Sequence, residues 1–369
     1  MNKDKPKNIL VVSLQGIGDL LLLTPFLHAL KKGIPVDKIS VLTFSSNKDI
    51  LSGNPDVDEI IAFNPRESNN FLSIIGLLGC LRGNSYDISI CAYPSGLRSA
   101  FIAFACGAKE RLGQDLGIFW RCRWLFTKQT EIKEVKHAVL MNMDFLYLLG
   151  VGTVGQDNAM VLNVSGEEKE RAFDFLKSEG VKNGDLLIAV HAGGGKFTAA
   201  YRNWPIERFS KVADTLIEGS GAKVVFIGGA DDKGAVDKAI AYMENKAIVA
   251  AGKLSLKETA ALIGQARLLI CNNSGPMHMA AALGIPTVSI FGSADPRIHR
   301  PWGDGHVVLQ KELDCSPCYY PFFRDTLKET KLRNRWFGKK FECMTGDYRC
   351  LGSITVEEVV AAAKKILEQ

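Results

Sequence analysis

The chain has 369 residues, more than a single hydrophobic core usually serves, so two domains are expected. Hydrophobic residues at 47% and charged residues at 23% are ordinary globular values and exclude a low-complexity or collagen-like chain. A formal net charge of +5 is too small over this length to imply nucleic acid as a partner, so where the cations lie matters more than their sum.

The amino terminus, MNKDKPKNILVV, has only a short apolar run before Gln15 and Gly16, and neither a signal peptide nor a spanning helix is expected. Nine cysteines, an odd number without an export signal, point to a reducing, cytoplasmic compartment. NILVVS then has the composition of a buried strand, LQGIG of a tight loop, and Asp19 to Lys32 of a helix that Gly33 stops. Asp19 follows Gly16 and Gly18 at the mouth of that helix. It is either an acid that the helix dipole stabilises or a carboxylate aimed at a substrate as general base. Leu21 stands where the third small residue of a dinucleotide fingerprint should be, which disfavours a nicotinamide cofactor.

Further strands are expected at Ile39 to Phe44, Glu59 to Phe63, Asp87 to Ala92 and Glu110 to Gly113. FLSIIGLLGCL, Phe71 to Leu81, is too short to cross a bilayer. Between Gly96 and Lys128 the chain mixes Arg98, Lys109, Arg111, Arg121, Arg123 and Lys128 with Phe101, Phe104, Phe119, Trp120, Trp124 and Phe126. From Gly150 to Glu168 the periodicity weakens into glycines and small polar residues, and the domain boundary is placed there, giving residues 1–160 and 161–369.

The alternation then restarts with LLIAVH, a glycine-rich loop, a helix from Pro205 to Glu218, the strand KVVFIGG, the segment ADDKGAVDKAIAYM and a helix from Leu256 to Gln265 capped by Ser255 with Glu258. Two successive units of this kind imply an α/β protein with two Rossmann-like, mainly parallel sheets facing one another across a cleft. Ligands in such sheets lie at the carboxyl ends of strands, so the loops after strands are where chemistry is expected.

Three of those loops carry candidates in the second domain. In HAGGGKFTAAYRNWP, Gly193 and Gly194 allow a ligand close to the backbone, and Lys196 and Arg202 supply charge; a surface loop with solvated cations is the alternative. In GGADD, the acids at Asp231 and Asp232 either accept from ribose hydroxyls or cap the next helix. CNNSGPMHMAAALGIP follows the strand Arg267 to Cys271 and opens a helix at Ser274 or Gly275, with Pro276 suited to its first position and Gly284 to its stop. The free N–H groups at that helix start form an anion site with the Ser274 hydroxyl and the His278 imidazole beside it. Alternatively Asn273 or Ser274 only caps the helix and His278 packs at its edge. Cys315, Cys318, Cys343 and Cys350 form CSPC and CMTGDYRC, either a tetrahedral metal site or free, packed thiols. The other five cysteines sit in apolar contexts and are expected in the core.

Taken together, these stretches resemble glycosyltransferase family nine, the ADP-heptose:lipopolysaccharide heptosyltransferases. The resemblance runs through ILVVSLQGIGDLLLLTPFLHALK, DISICAYPSGLRSAFIAFACGAKERLG, HAGGGK, RNWPIERFSKVADTL, CNNSGPMHMAAALGIPTVSIFG, CSPC and ITVEEVVAA. It implies a GT-B fold, an acceptor bound by the N-terminal domain, a nucleotide-sugar bound by the C-terminal one, and a terminal helix able to pack back on the first domain. It also implies inverting transfer without a metal or other cofactor. Asp19 matches the family's catalytic aspartate, Arg202 a basic residue that meets the diphosphate, and Gly193 and Gly194 a loop against the phosphates. Ser274, Gly275 and His278 match the helix-start motif that holds diphosphate and sugar. The family often has an acid where this chain has Asn273, so a sugar contact there would come from an amide. The basic, aromatic insertion over residues 319–342 is longer than the family leads one to expect.

The expected function is a cytoplasmic transferase moving heptose from ADP-heptose to a lipopolysaccharide inner-core or related saccharide. A lipid-linked acceptor would give the arginines and aromatics of the first domain a role as a peripheral surface for acidic headgroups on the inner membrane, although core packing is the preferred reading of most of those aromatics. The rival readings are a nucleotide-sugar epimerase of the same architecture, a transferase using another nucleotide-sugar, and a binding module without turnover.

Overall fold

The computed structural model describes the chain apart from residues 1–4, 65–70, 116–119, 132, 153–157, 194–202, 319–342 and 344. The chain divides into two compact units, the first built mainly from Met1–Asn163 and the second from Val164 onward.

Parallel strands buried on both faces become near-continuous apolar runs, and the first unit is built on such strands. β1 (Lys7–Val12), β2 (Val36–Phe44), β3 (Glu59–Phe63), β4 (Ile88–Cys91), β5 (Glu110–Asp115) and β6 (Lys128–Glu131) form one parallel sheet in the order β3-β2-β1-β4-β5-β6. Val11 pairs with Val41 on one side and with Ile90 on the other, so β1 lies at the centre of the sheet. The strand order reverses between β1 and β4, which places the topological switch point at the end of β1.

α1 (Ile17–Gly33) follows β1, and its apolar run from Leu20 to Leu23, then Phe26, Leu27 and Leu30, is buried. Pro25 lies inside it and lacks the N–H that the Leu21 carbonyl would accept. The Thr24 hydroxyl donates to that carbonyl at 2.8 Å and itself accepts the Val161 amide at 2.9 Å. α2 (Phe71–Gly83), α3 (Leu97–Ala105) and α4 (Ala138–Leu148) complete the unit, with a 3-10 turn over Trp120–Leu125.

In the second unit, β7 (Leu187–His191), β8 (Lys223–Phe226), β9 (Ile248–Val249), β10 (Leu268–Asn272), β11 (Thr287–Ile290) and β12 (Val307–Leu309) form a parallel sheet in the order β12-β11-β10-β7-β8-β9. The switch point falls between β7 and β10, where Ile188 pairs with Leu268 and His191 with Cys271. Its helices are α5 (Gly166–Ser178), α6 (Ile206–Ser220), α7 (Lys233–Ala241), α8 (Leu256–Ile263), α9 (Gly275–Ala282), α10 (Pro296–His299), α11 (Arg349–Gly352) and α12 (Val356–Leu367). Capping boxes open three of them: Ser165 with Glu168, Ser255 with Glu258, and Thr355 with Glu358. The terminal helix α12 buries Val359, Ala363 and Ile366 in the core of the second unit, beside Trp204, Phe209 and Ile270.

The expected strands and helices are found close to their expected bounds, with short β6, β9 and β12 added at the sheet edges. One expectation about cysteines is corrected. Cys91, Cys106 and Cys271 are buried, but Cys80 is exposed on α2 because the helix has more apolar residues than its buried side holds. Among the described residues no helix is long and apolar enough to cross a membrane.

Candidate functional site

At the switch point of the second unit, the loops after β7, β8 and β10 meet. β7 ends in His191, which is 4% exposed. Its Nδ1 lies 3.0 Å from the Ser274 hydroxyl and its Nε2 lies 3.6 Å from Asp232 Oδ2. Asp232 also accepts the Gly229 amide at 2.9 Å. Burial pushes the Asp232 carboxyl up, and the neighbouring His191 imidazole and the Gly229 amide outweigh it, so the group titrates below the ordinary carboxylate range.

Gly193 follows immediately, and its smallness has a specific cause: a Cβ there would overlap the Asp232 carboxylate. The close approach that the glycine permits is therefore first of all to Asp232. Gly194, Lys196 and Arg202 lie outside the described residues.

Asn272, the last residue of β10, is fully buried and organises the same place. Its Oδ1 accepts the Trp204 amide at 3.0 Å, and its Nδ2 donates to the carbonyls of Ala192 at 3.2 Å and Gly193 at 3.4 Å. Trp204 is held again by its indole N–H, which donates to the Ile354 carbonyl at 3.0 Å, and by an edge-on contact with Phe209. Asn273, next along, is half-buried and donates its amide to the Ile290 carbonyl. Ser274 is the N-cap residue of α9, yet its hydroxyl makes no capping bond. Gly275 and Pro276 open the helix, and His278 is buried in its first turn. The structure thus brings Gly193, Ser274 and Gly275 to one corner of the sheet. It adds His191 and Asn272, which the sequence did not single out as site residues, and Asp232, which the sequence offered as a ribose contact or a helix cap.

In the first unit, the switch point carries Asp19. Gly16 is the N-cap residue of α1, and its amide donates to Asp19 Oδ2 at 3.1 Å. Asp19 is half-buried, at the end of the helix where amides stabilise negative charge. The loop before it is braced on both sides: Gln15 Nε2 donates to the Pro94 carbonyl at 2.8 Å, and Asn47 Nδ2 donates to the Gln15 carbonyl at 2.7 Å.

Four cysteines converge beyond β11. Ser316 Oγ donates to the Gly292 carbonyl and the Cys318 amide to the Ser293 carbonyl, so the CSPC turn hangs from the end of that strand. Leu351 packs against Gly292 and brings Cys350 alongside. Burial, and then the neighbouring Cys350, Cys343 and Cys315, push the Cys318 thiol up to about 12. These thiols are free, and among the described residues no group of three or more His, Cys, Asp or Glu is arranged to hold a metal ion.

Comparison with known proteins adds the following. Residues 76–321 match the model of Glycosyltransferase family 9 (heptosyltransferase). The chain is 29% identical to lipopolysaccharide heptosyltransferase 3 of Escherichia coli K12 over 360 residues, covering 95% of this chain and 96% of that protein. A crystal structure of a family 9 glycosyl transferase from Veillonella parvula superposes with a TM-score of 0.80 at 29% identity, covering 100% of this chain and 99% of that one. The E. coli ADP-heptose lps heptosyltransferase II superposes with a TM-score of 0.75 at 21% identity over 98% and 99% of the two chains. Two doubly wound parallel sheets with helices on both faces are the architecture that these chains share.

Proposed function

The chain belongs to glycosyltransferase family 9, the heptosyltransferases, and from that premise we propose that it transfers heptose from ADP-heptose to an inner-core saccharide of lipopolysaccharide. The observation that carries this reading is the corner of the second unit where Gly193, His191, Asp232 and the start of α9 meet. It offers a leaving diphosphate the Gly275 amide and the positive end of a helix, small residues close by, and hydroxyl and carboxylate groups for sugar or ribose hydroxyls.

In the proposed reaction the acceptor hydroxyl attacks the anomeric carbon as the bond to the diphosphate oxygen breaks, which inverts the centre. Asp19 takes the hydroxyl proton, and ADP leaves with the bonding electron pair. Gly194, Lys196 and Arg202 are assigned to the diphosphate with Gly193 and Gly275, and Asn273 and His278 to the donor sugar side. The charge on the leaving group is met by this chain's own cations and amides. The first unit is assigned the acceptor and the second the donor.

A lipid-linked acceptor fits a surface of the first unit. Ile74 and Ile75 on α2, Leu97 and Phe101 on α3, and Trp124 in the 3-10 turn are all exposed large hydrophobics, on elements that touch one another through α3. Arg98 and Arg123 are exposed among them. We assign this surface to peripheral contact with acidic headgroups at the cytoplasmic face of the membrane. Phe104 and Phe126 pack instead against the core of the first unit.

The experiment is Asp19→Asn with ADP-heptose and a core oligosaccharide. Transfer falls about 10²–10⁴-fold while ADP-heptose binding persists. Full transfer by the variant overturns the base assignment. The wild type given ADP-heptose without acceptor returns the sugar unchanged, whereas an altered sugar points to an epimerase, and preference for UDP-sugars overturns the donor.

A further inference from the structure

We infer that His191 is a positioning residue for Ser274: it accepts the serine hydroxyl's hydrogen bond and so leaves that oxygen as an acceptor for a hydroxyl of the bound donor. This rests on the donor-site reading above.

Ser, Thr, Asp and Asn at an N-cap ordinarily spend their side chain on the helix, a contact worth about 1 kcal/mol. Ser274 holds the N-cap of α9 but forgoes that bond, and its hydroxyl lies 3.0 Å from His191 Nδ1 instead. The imidazole cannot swing away, because His191 is 4% exposed at the end of a strand hydrogen-bonded on both sides. Its other nitrogen faces the Asp232 carboxylate at 3.6 Å. An ionised carboxylate only accepts, so in the neutral ring the proton belongs on Nε2 and Nδ1 is left as the acceptor. Ser274 must then donate inward, and its lone pairs face away from the ring. A phosphate oxygen offers no proton to such an oxygen, whereas a sugar or ribose hydroxyl does. The anion is left to the main-chain amide of Gly275, since Pro276 has no N–H and the Met277 amide donates to the Ser274 carbonyl.

The bond from Gly229 to Asp232 and the fit of Gly193 over the same carboxylate fix the far end of this relay. One buried imidazole therefore sets the loops after β7, β8 and β10 in register and decides which way a hydroxyl between them points.

The test uses full-length His191→Asn, His191→Gln and Ser274→Ala proteins, with ADP-heptose kinetics, calorimetric affinities for ADP and ADP-heptose, and thermal melts. The amide of Asn reaches the place of Nδ1 and can accept from Ser274, whereas that of Gln reaches toward Asp232 and leaves Ser274 without its acceptor. Expected are a rise in KM of about tenfold for His191→Gln and for Ser274→Ala, with kcat changed less, and His191→Asn within about threefold of wild type. The double variant His191→Gln with Ser274→Ala is no worse than Ser274→Ala alone. Gln is closer to His in length than Asn, so a role confined to filling space ranks the two variants the other way, and that ranking or an additive double variant overturns the inference. If His191→Gln does not fold, Ser274→Ala decides: an unchanged KM for ADP-heptose overturns it. A loss seen with ADP as well assigns the hydroxyl to the ribose, and one confined to ADP-heptose assigns it to the sugar; both support the inference. If the wild type binds neither ligand, the donor-site reading itself fails, a result distinct from wild-type binding with additive losses.

Discussion

The side chain of Asn272 holds the Trp204 amide at 3.0 Å, tying the end of β10 to the start of α6. The same amide group holds the carbonyls of Ala192 and Gly193, so one fully buried side chain fixes three stretches of backbone at the candidate site. Asn272→Ala strands a buried N–H and carbonyls without partners, and each such group costs about 1–3 kcal/mol. The variant should melt at a clearly lower temperature, and donor KM should rise because Arg202 lies two residues before Trp204 in the chain. An Asn272→Ala protein with unchanged melting and unchanged KM excludes this role.

Gly193→Ala tests the neighbouring contact. The added methyl overlaps the Asp232 carboxylate, which cannot retreat without leaving His191 and the Gly229 amide. Donor KM should rise about tenfold with a smaller change in stability, since the displaced group lies at the rim of the sheet and not in its core. Pairing Gly193→Ala with Asp232→Gly, which removes the obstructing carboxylate, should add little to the loss from Asp232→Gly alone; an additive result argues against the overlap.

Thr24 carries the fold of α1 past its internal proline. Thr24→Val keeps the shape but removes the donor to the Leu21 carbonyl and the acceptor of the Val161 amide, in a fully buried place. A loss of about 2–4 kcal/mol in the stability of the first unit is expected, measured by denaturant unfolding. Replacing Pro25 with Ala in the same background restores an N–H for Leu21 and should recover part of it.

Most of this was legible in the sequence because two periodicities dominate it. Runs such as ILVV and LLIAV could be little other than buried parallel strands, and the residues ending them fall at the switch points by topology alone. Position along the chain therefore suffices to put Asp19, Ser274 and Gly193 at those switch points. The sequence does not distinguish Asn272 from Asn273, because two adjacent amides at a strand end differ only in which face they take, and that depends on where the strand stops. His191 ends β7 and Asp232 lies in the turn after β8, 41 positions on in the numbering, and only the pairing of β7 with β8 brings them together. The sequence offers Asp232 as a cap or a ribose contact; its bond to the Gly229 amide is local, while its approach to His191 is not.

The exposed apolar surface of the first unit gives a binding prediction. The protein should sediment with vesicles containing anionic lipid, less at high salt, because screening shortens the reach of Arg98 and Arg123. Removing each arginine should weaken binding by about fivefold, near 1 kcal/mol. Trp124→Ala should weaken it at all salt concentrations, since burial of an exposed indole is not screened. Equal binding to neutral vesicles argues against the assignment.

Thiol reactivity separates the cysteines by environment. Burial pushes the Cys91 and Cys271 thiols up to about 12, so neither forms appreciable thiolate at pH 8 and both stay unlabelled by iodoacetamide until the chain unfolds. Cys80 is exposed on α2 and should label readily. Burial acts to raise the Cys343 thiol, but the Thr345 hydroxyl and the amides of Tyr348, Thr345 and Gly346 prevail and pull it below the ordinary thiol value. Cys343 should therefore label ahead of Cys318 and Cys350, whose thiols burial and their neighbours raise. As pH falls from 8 to 7 the Cys343 rate should drop less than that of an ordinary thiol, because more of it remains thiolate. Peptide mass mapping after timed alkylation reads the order directly, and labelling of Cys271 before Cys343 in the folded protein is incompatible with it.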